Sequence, residues 1–134
     1  MSVLPPTPEI DHDSGFYWDA LRSERLMLQK CDACARVRYP PMSHCPYCAR
    51  DRWNLTDLSG TGTVYSFVVV HQAFNPAFAA DVPYVIATVD LDEGPRIAVR
   101  ADHAAGIDFG QRVRATYVHH DGWSELRVVP DRAP

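Results

Sequence analysis

Four cysteines, the only ones in the chain, fall in two pairs, Cys31-Asp-Ala-Cys34 and Cys45-Pro-Tyr-Cys48, with ten residues between the pairs. A Cys-x-x-Cys pair folds as a tight knuckle that aims two sulfurs at one point, and a spacer of this length lets two knuckles face each other. Cys31, Cys34, Cys45 and Cys48 are therefore the expected ligands of a tetrahedral zinc ion, with iron in the same cage and an empty reduced site as the alternatives. Four thiolates close the coordination shell, so the metal is expected to be structural, stabilising a segment too small to fold on its own core. Redox use of Cys-x-x-Cys belongs at the start of a helix in a thioredoxin-like fold, which this context does not offer.

The flanks of the cysteines read as a hairpin. Leu26–Gln29 leads into the first knuckle, Arg36–Tyr39 returns from it, and Pro40-Pro41 ends the pairing because proline cannot donate to a ladder. Residues 30–53 are thus a zinc ribbon of rubredoxin type. Residues 1–13 carry three of their prolines without apolar periodicity and read as an extended arm. Residues 14–29 hold a helix from Ser14 to Ser23, capped by Asp13 or Ser14, and the lead-in strand. Within that helix Phe16, Tyr17 and Trp18 are too apolar for a free surface; they pack on this chain or dock on another subunit.

Residues 54–134 change character. Thr63–Val70, Tyr84–Leu91, Arg96–Ala101, Arg112–Val118 and Trp123–Val129 are rich in β-branched and aromatic residues and are separated by turn chemistry at 92–95, 106–110 and 121–122. Asp121-Gly122 is a two-residue hairpin signal of the primed-turn kind. Five strands at this spacing fit a closed OB-fold barrel, with a sandwich fragment as the competing architecture. The whole is a mainly β chain: N-terminal helix, rubredoxin-like zinc ribbon, five-stranded OB-fold barrel.

Candidate chemistry is sparse outside the cysteines. His12, His44, His71, His103, His119 and His120 stand in no recognisable triad or metal motif. Arg96 and Arg100 share one strand face, and Arg112 and Arg114 share another; guanidinium groups on neighbouring strands suit a phosphate of coenzyme A, or else form a solvated face balanced by acids. The connection His71–Val82 carries Phe74 and Phe78 among alanines where a solvated loop would be polar, so both are expected to meet a partner or an acyl chain, or to fold back over the barrel end.

Zinc ribbons and OB barrels also serve single-stranded nucleic acids, with Tyr65 and Phe67 as possible stacking platforms. The formal charge of −4 and a single lysine, Lys30, disfavour that reading, although the ribbon is net basic between acidic flanks. No run approaches the roughly 20 apolar residues of a membrane span, and the start lacks the regions of a signal peptide, so a cytoplasmic, reducing location is expected.

Several linked motifs appear in order: the aromatic helix, Cys31-x-x-Cys34, Pro40-Pro41, Cys45-Pro-x-Cys48, Gly60-Thr-Gly-Thr-Val-Tyr-Ser66, Pro83-Tyr84 opening a strand that ends Leu91-Asp-Glu-Gly94, and Gly110-x-x-Val113. On these the chain, from about Phe16 to Val129, resembles the domain of unknown function 35 family, which joins a rubredoxin-like ribbon to an OB barrel. The resemblance implies a non-catalytic accessory subunit in a hetero-oligomer. Its partner would be a thiolase-fold protein (a lipid-transfer-protein-like thiolase or aldolase) or an acyl-CoA hydratase. There it would help form the acyl-CoA site, as in steroid or fatty acyl side-chain degradation. The chain departs from the family pattern at Ala35 and Ala49, where such knuckles usually carry glycine.

Overall fold

A computed structural model of the chain describes residues 4–132; the first three residues of the expected arm lie outside them. The helix α1 runs Gly15–Arg22. Ser14 is its N-cap residue, but its hydroxyl accepts from the Asp11 amide while the Asp11 carboxylate accepts from the Ser14 amide, a reciprocal clamp set one turn ahead of the helix. Tyr17, Ala20 and Leu21 form the buried stripe, at the three- and four-residue spacing a helix needs.

Three strands build the ribbon: β1 (Leu26–Cys31), β2 (Val37–Arg38) and β3 (Trp53–Leu58), in antiparallel order β2-β1-β3. β3 carries no strong strand signal in the sequence, because Asn54, Thr56 and Asp57 interrupt its apolar residues. It nevertheless pairs with all of β1, from Leu26 opposite Leu58 to Cys31 opposite Trp53. The ribbon sheet therefore extends beyond residue 53 and carries the chain directly into the barrel.

The five remaining strands are β4 (Thr61–Val70), β5 (Tyr84–Leu91), β6 (Arg96–Ala101), β7 (Arg112–His119) and β8 (Ser124–Pro130). They close in the order β4-β5-β6-β8-β7, with β7 returning to β4 through Thr61–Thr63. Closure, with one parallel contact between β6 and β8, is the OB barrel and excludes the sandwich. Strand alternation fills it: Val85, Ala87, Val89 and Leu91 of β5 point inward with Ile97, Val99, Val113, Leu126 and Val128. Gly62 is required where β4 and β5 draw close, since a Cβ there would stand 2.5 Å from the Asp90 carbonyl oxygen. The same core continues through Leu26, Leu28 and Leu58 to Tyr17 and Leu21, so helix, ribbon and barrel share one apolar interior.

The hairpin at 121–122 forms where expected, but not through a primed turn. Only Gly122 has a positive φ (83°), whereas a type I′ turn needs both central residues there and type II′ needs the first; the left-handed conformation is confined to the residue that bears it without strain.

Candidate metal centre and contact surfaces

Each knuckle is a hydrogen-bonded turn, the first at the end of β1 and the second in the irregular segment between β2 and β3. The Cys31 amide donates to the Arg36 carbonyl and Ala35 donates back to Cys31; Cys45 with Arg50, and Ala49 with Cys45, repeat the pattern. These turns bring the four sulfurs within 4.8 Å of one another, with Cys31 to Cys48 at 3.5 Å and Cys34 to Cys45 at 3.6 Å. A tetrahedral zinc with Zn–S bonds of about 2.3 Å sets its sulfurs roughly 3.8 Å apart, so the cage fits the ion. The amides of Cys34 and Ala33 lower the Cys31 thiol; burial opposes the shift at Cys45, yet the Tyr47 and Cys48 amides bring it to about 6. At Cys48 the Arg50 amide acts in the same direction, but burial and the neighbouring sulfurs of Cys31, Cys45 and Cys34 push the thiol up to about 11. Ala35 and Ala49 adopt φ of 64° and 67°, the left-handed geometry for which glycine is the usual choice. His44 accepts from or donates to Ser43 and is no part of the cage.

Behind the ribbon lies a polar pair that the sequence reading passed over. Gln29 and Arg38, cross-strand partners on β1 and β2, are both buried. The Arg38 Nε donates to Gln29 Oε1, the same oxygen accepts from the Met42 amide, and Arg38 Nη2 donates to the Met42 carbonyl. This network anchors the chain just after Pro40-Pro41 and so sets the approach to the second knuckle. Its only sequence signal is the position of Arg38 in a return strand between Val37 and Tyr39.

Of the expected site residues, the aromatic helix faces inward. Phe16 meets Trp53 of β3 at 5.7 Å, Tyr17 is buried against Tyr39, and Trp18 packs edge-on to Trp123 of the barrel at 6.1 Å. The helix thereby bridges ribbon and barrel. Three of the four arginines each hold a different carboxylate. Arg96 forms a bidentate pair with Asp90, its register partner, and lies 3.7 Å over the Tyr65 ring; Arg112 pairs with Asp92, and Arg100 with Asp81. Arg114 has no carboxylate partner among the described residues and lines a cavity of about 450 Å³ with His103 and Arg132. Tyr65 and Phe67 do not form a common stacking face, because a β-bulge between Val64 and Ser66 breaks the alternation; Phe67 packs on Phe109 at 5.1 Å.

Phe74 and Phe78 are separated by the loop's own structure. Asn75 caps a short 3-10 turn, Pro76–Phe78, which draws Phe78 onto Tyr84 at 6.3 Å. There it lines an apolar groove of about 210 Å³ with Trp123 and with Pro5 and Pro6 of the arm. Phe74 is left 89% exposed. Among the histidines, His120 stacks on Trp123 and contacts Glu125 at 2.9 Å, and His119 bonds Ser124. Glu125 is also held by Arg127; although burial opposes ionisation, these partners keep its carboxyl below the ordinary range.

A four-sulfur ribbon fused through one core to a closed OB barrel defines the class: a zinc-ribbon/OB-fold protein. Family models divide the chain the same way. Residues 18–54 match the family described as "ChsH2, rubredoxin-like zinc ribbon domain", and residues 55–118 match "ChsH2, C-terminal OB-fold domain". The chain belongs to this ChsH2, or DUF35, family. It is 43% identical over 134 residues to a probable enoyl-CoA hydratase alpha subunit of Thermomonospora curvata, covering 98% of this chain and 41% of that protein. It is 36% identical over 129 residues to the 3-oxo-4,17-pregnadiene-20-carboxyl-CoA hydratase alpha subunit of Mycobacterium tuberculosis, covering 92% of this chain and 40% of that protein. The chain thus spans about two fifths of the length of these curated relatives. In the solved structure of an Ltp2-ChsH2(DUF35) aldolase, one chain superposes with a TM-score of 0.81 at 35% identity, covering 92% of this chain and 98% of that one.

Proposed function

We propose that the chain is a non-catalytic accessory subunit that docks on a thiolase-fold aldolase or thiolase, or on an acyl-CoA hydratase, and helps form its acyl-CoA site in steroid or fatty acyl side-chain degradation. The observation that carries this reading is the near full-length match to a DUF35 chain of an aldolase. The hydratase alpha subunits among its relatives point to the same class of substrate, a coenzyme A thioester. In this role the zinc is a structural staple, kept loaded in a reducing cytoplasm where thiolates stay available. The partner supplies the nucleophile or base.

Two surfaces suit the shared site. Phe74, fully projected from its loop, offers an apolar anchor for the partner or the acyl chain. Arg114, with Arg132 and His103 beside it, offers charge to a coenzyme A phosphate; Arg96, Arg100 and Arg112 already hold carboxylates and would have to exchange them. Co-expression with a thiolase-fold or hydratase subunit encoded beside it, followed by size-exclusion chromatography and assays of acyl-CoA cleavage and hydration, tests the reading. Stable co-elution with partner-dependent turnover supports it. Salt-sensitive binding to single-stranded oligonucleotides without co-elution would reverse it.

A further inference from the structure

β4 leaves its barrel neighbour early. It pairs with β7 only through Thr61–Thr63, and the last backbone bonds on that side join Val64 to Gly110 and Gln111. Tyr65 is bulged out of the register, and from Ser66 to Val70 the strand pairs with β5 alone, so among the described residues its other edge carries a row of backbone groups with no strand partner. Sheet edges of this kind are normally guarded by charge, proline or shortness. Beyond the bulge at Tyr65 and the Arg96 guanidinium over its ring, this one is unguarded: Ser66-Phe-Val-Val-Val70 is uncharged, and Val68 and Val69, on opposite faces, are 59% and 45% exposed. The free edge of β3 makes the contrast, since there Asp57 pairs with Arg25 and Asn54 with Asp32.

We infer that the Ser66–Val70 edge of β4 is where the partner subunit adds an extended strand to the barrel sheet; this rests on the accessory-subunit reading and names its docking strip. Backbone groups in a row call for a strand, and the apolar, uncharged side chains call for β-branched or aromatic residues on it. Exposed Phe74 lies beyond the end of the strip, and Phe109, packed on Phe67, stands as a rim beside it. That rim disfavours a second copy of this chain as occupant, because the copy would bring an identical Phe109 rim against the first. A slender segment of a different subunit meets no such duplication.

The test is amide hydrogen exchange on the purified chain, alone and with the co-expressed thiolase-fold or hydratase subunit, joined to affinity measurements on two variants. On complex formation the Ser66–Val70 amides should slow about tenfold or more. Val68→Lys, at an exposed position, should retain its metal and fold yet bind the partner subunit at least tenfold more weakly, while Leu55→Lys on the β3 edge binds as wild type. A complex that forms with unchanged exchange in this strip, or an isolated chain already dimeric and protected there, overturns the assignment alone. Failure of the wild-type chain to bind any such subunit overturns the accessory reading, and this assignment with it.

Discussion

At the residue scale, the alanines behind each knuckle show function outranking local preference. A left-handed alanine costs on the order of 1 kcal/mol, and the metal-binding turn holds Ala35 and Ala49 there regardless. Ala35→Gly and Ala49→Gly in the zinc-loaded protein should therefore each raise Tm by about 3–5 °C in thermal melts. Arg38 makes the opposite kind of statement, a buried cation held by neutral acceptors alone. Arg38→Ala should cost about 3 kcal/mol in denaturant unfolding, from lost packing and from the Met42 carbonyl left without its donor, whereas Arg38→Met should cost less than half as much because it keeps most of the packed volume. Glu125 brings in pH. Its carboxyl is held below the usual range, so its contribution is present above the ordinary glutamate value near pH 4 and disappears as pH falls through the folded value. Glu125→Gln should flatten that acid limb of a stability–pH profile and leave the remainder of the curve shifted down by about 1 kcal/mol.

At the element scale, the knuckles, the helix and the five barrel strands were legible because each has a short-range signature: ligand spacing, a three-to-four apolar stripe, or a β-branched run between turns. β3 was not, since its residues are polar on both faces and only pairing with β1 makes it a strand. The same limit applies to the arginines. Asp90 opposite Arg96 could have been read from the hairpin centred on residues 92–95, but Asp81 reaching Arg100 and Asp92 reaching Arg112 depend on how the barrel closes. β1 pairs with both β2 and β3 and ends at Cys31, so a bound metal would tie the sheet at its knuckle end while Leu26, Leu28 and Leu58 hold the other end to the shared core. Chelation should strip exchange protection from β1, β2 and β3 before it reaches β5 and β6, a sequence visible by hydrogen exchange; simultaneous loss would mean that the barrel cannot hold without the ribbon.

At the scale of the whole molecule, the aromatic helix joins ribbon to barrel through Trp53 and Trp123, and among the described residues the exposed large apolar side chains include a group on and beside β4 (Tyr65, Val68, Val69, Phe74 and Phe109), with Leu4, Ile10, Tyr47 and Leu55 exposed elsewhere. That group makes the far end of β4 the proposed contact surface. Phe74→Ser should accordingly leave the fold and metal content of the isolated chain unchanged while weakening association with the catalytic subunit by about 1–3 kcal/mol, as measured by titration calorimetry. If, as proposed, this chain completes an acyl-CoA site whose chemistry lies elsewhere, the two proteins must act together. Acyl-CoA turnover by the catalytic subunit, measured with and without stoichiometric zinc-loaded chain, tests it most directly. Negligible turnover by either protein alone and full activity on mixing are expected. Turnover by this chain on its own, or by the catalytic subunit at an unchanged rate in its absence, would contradict it.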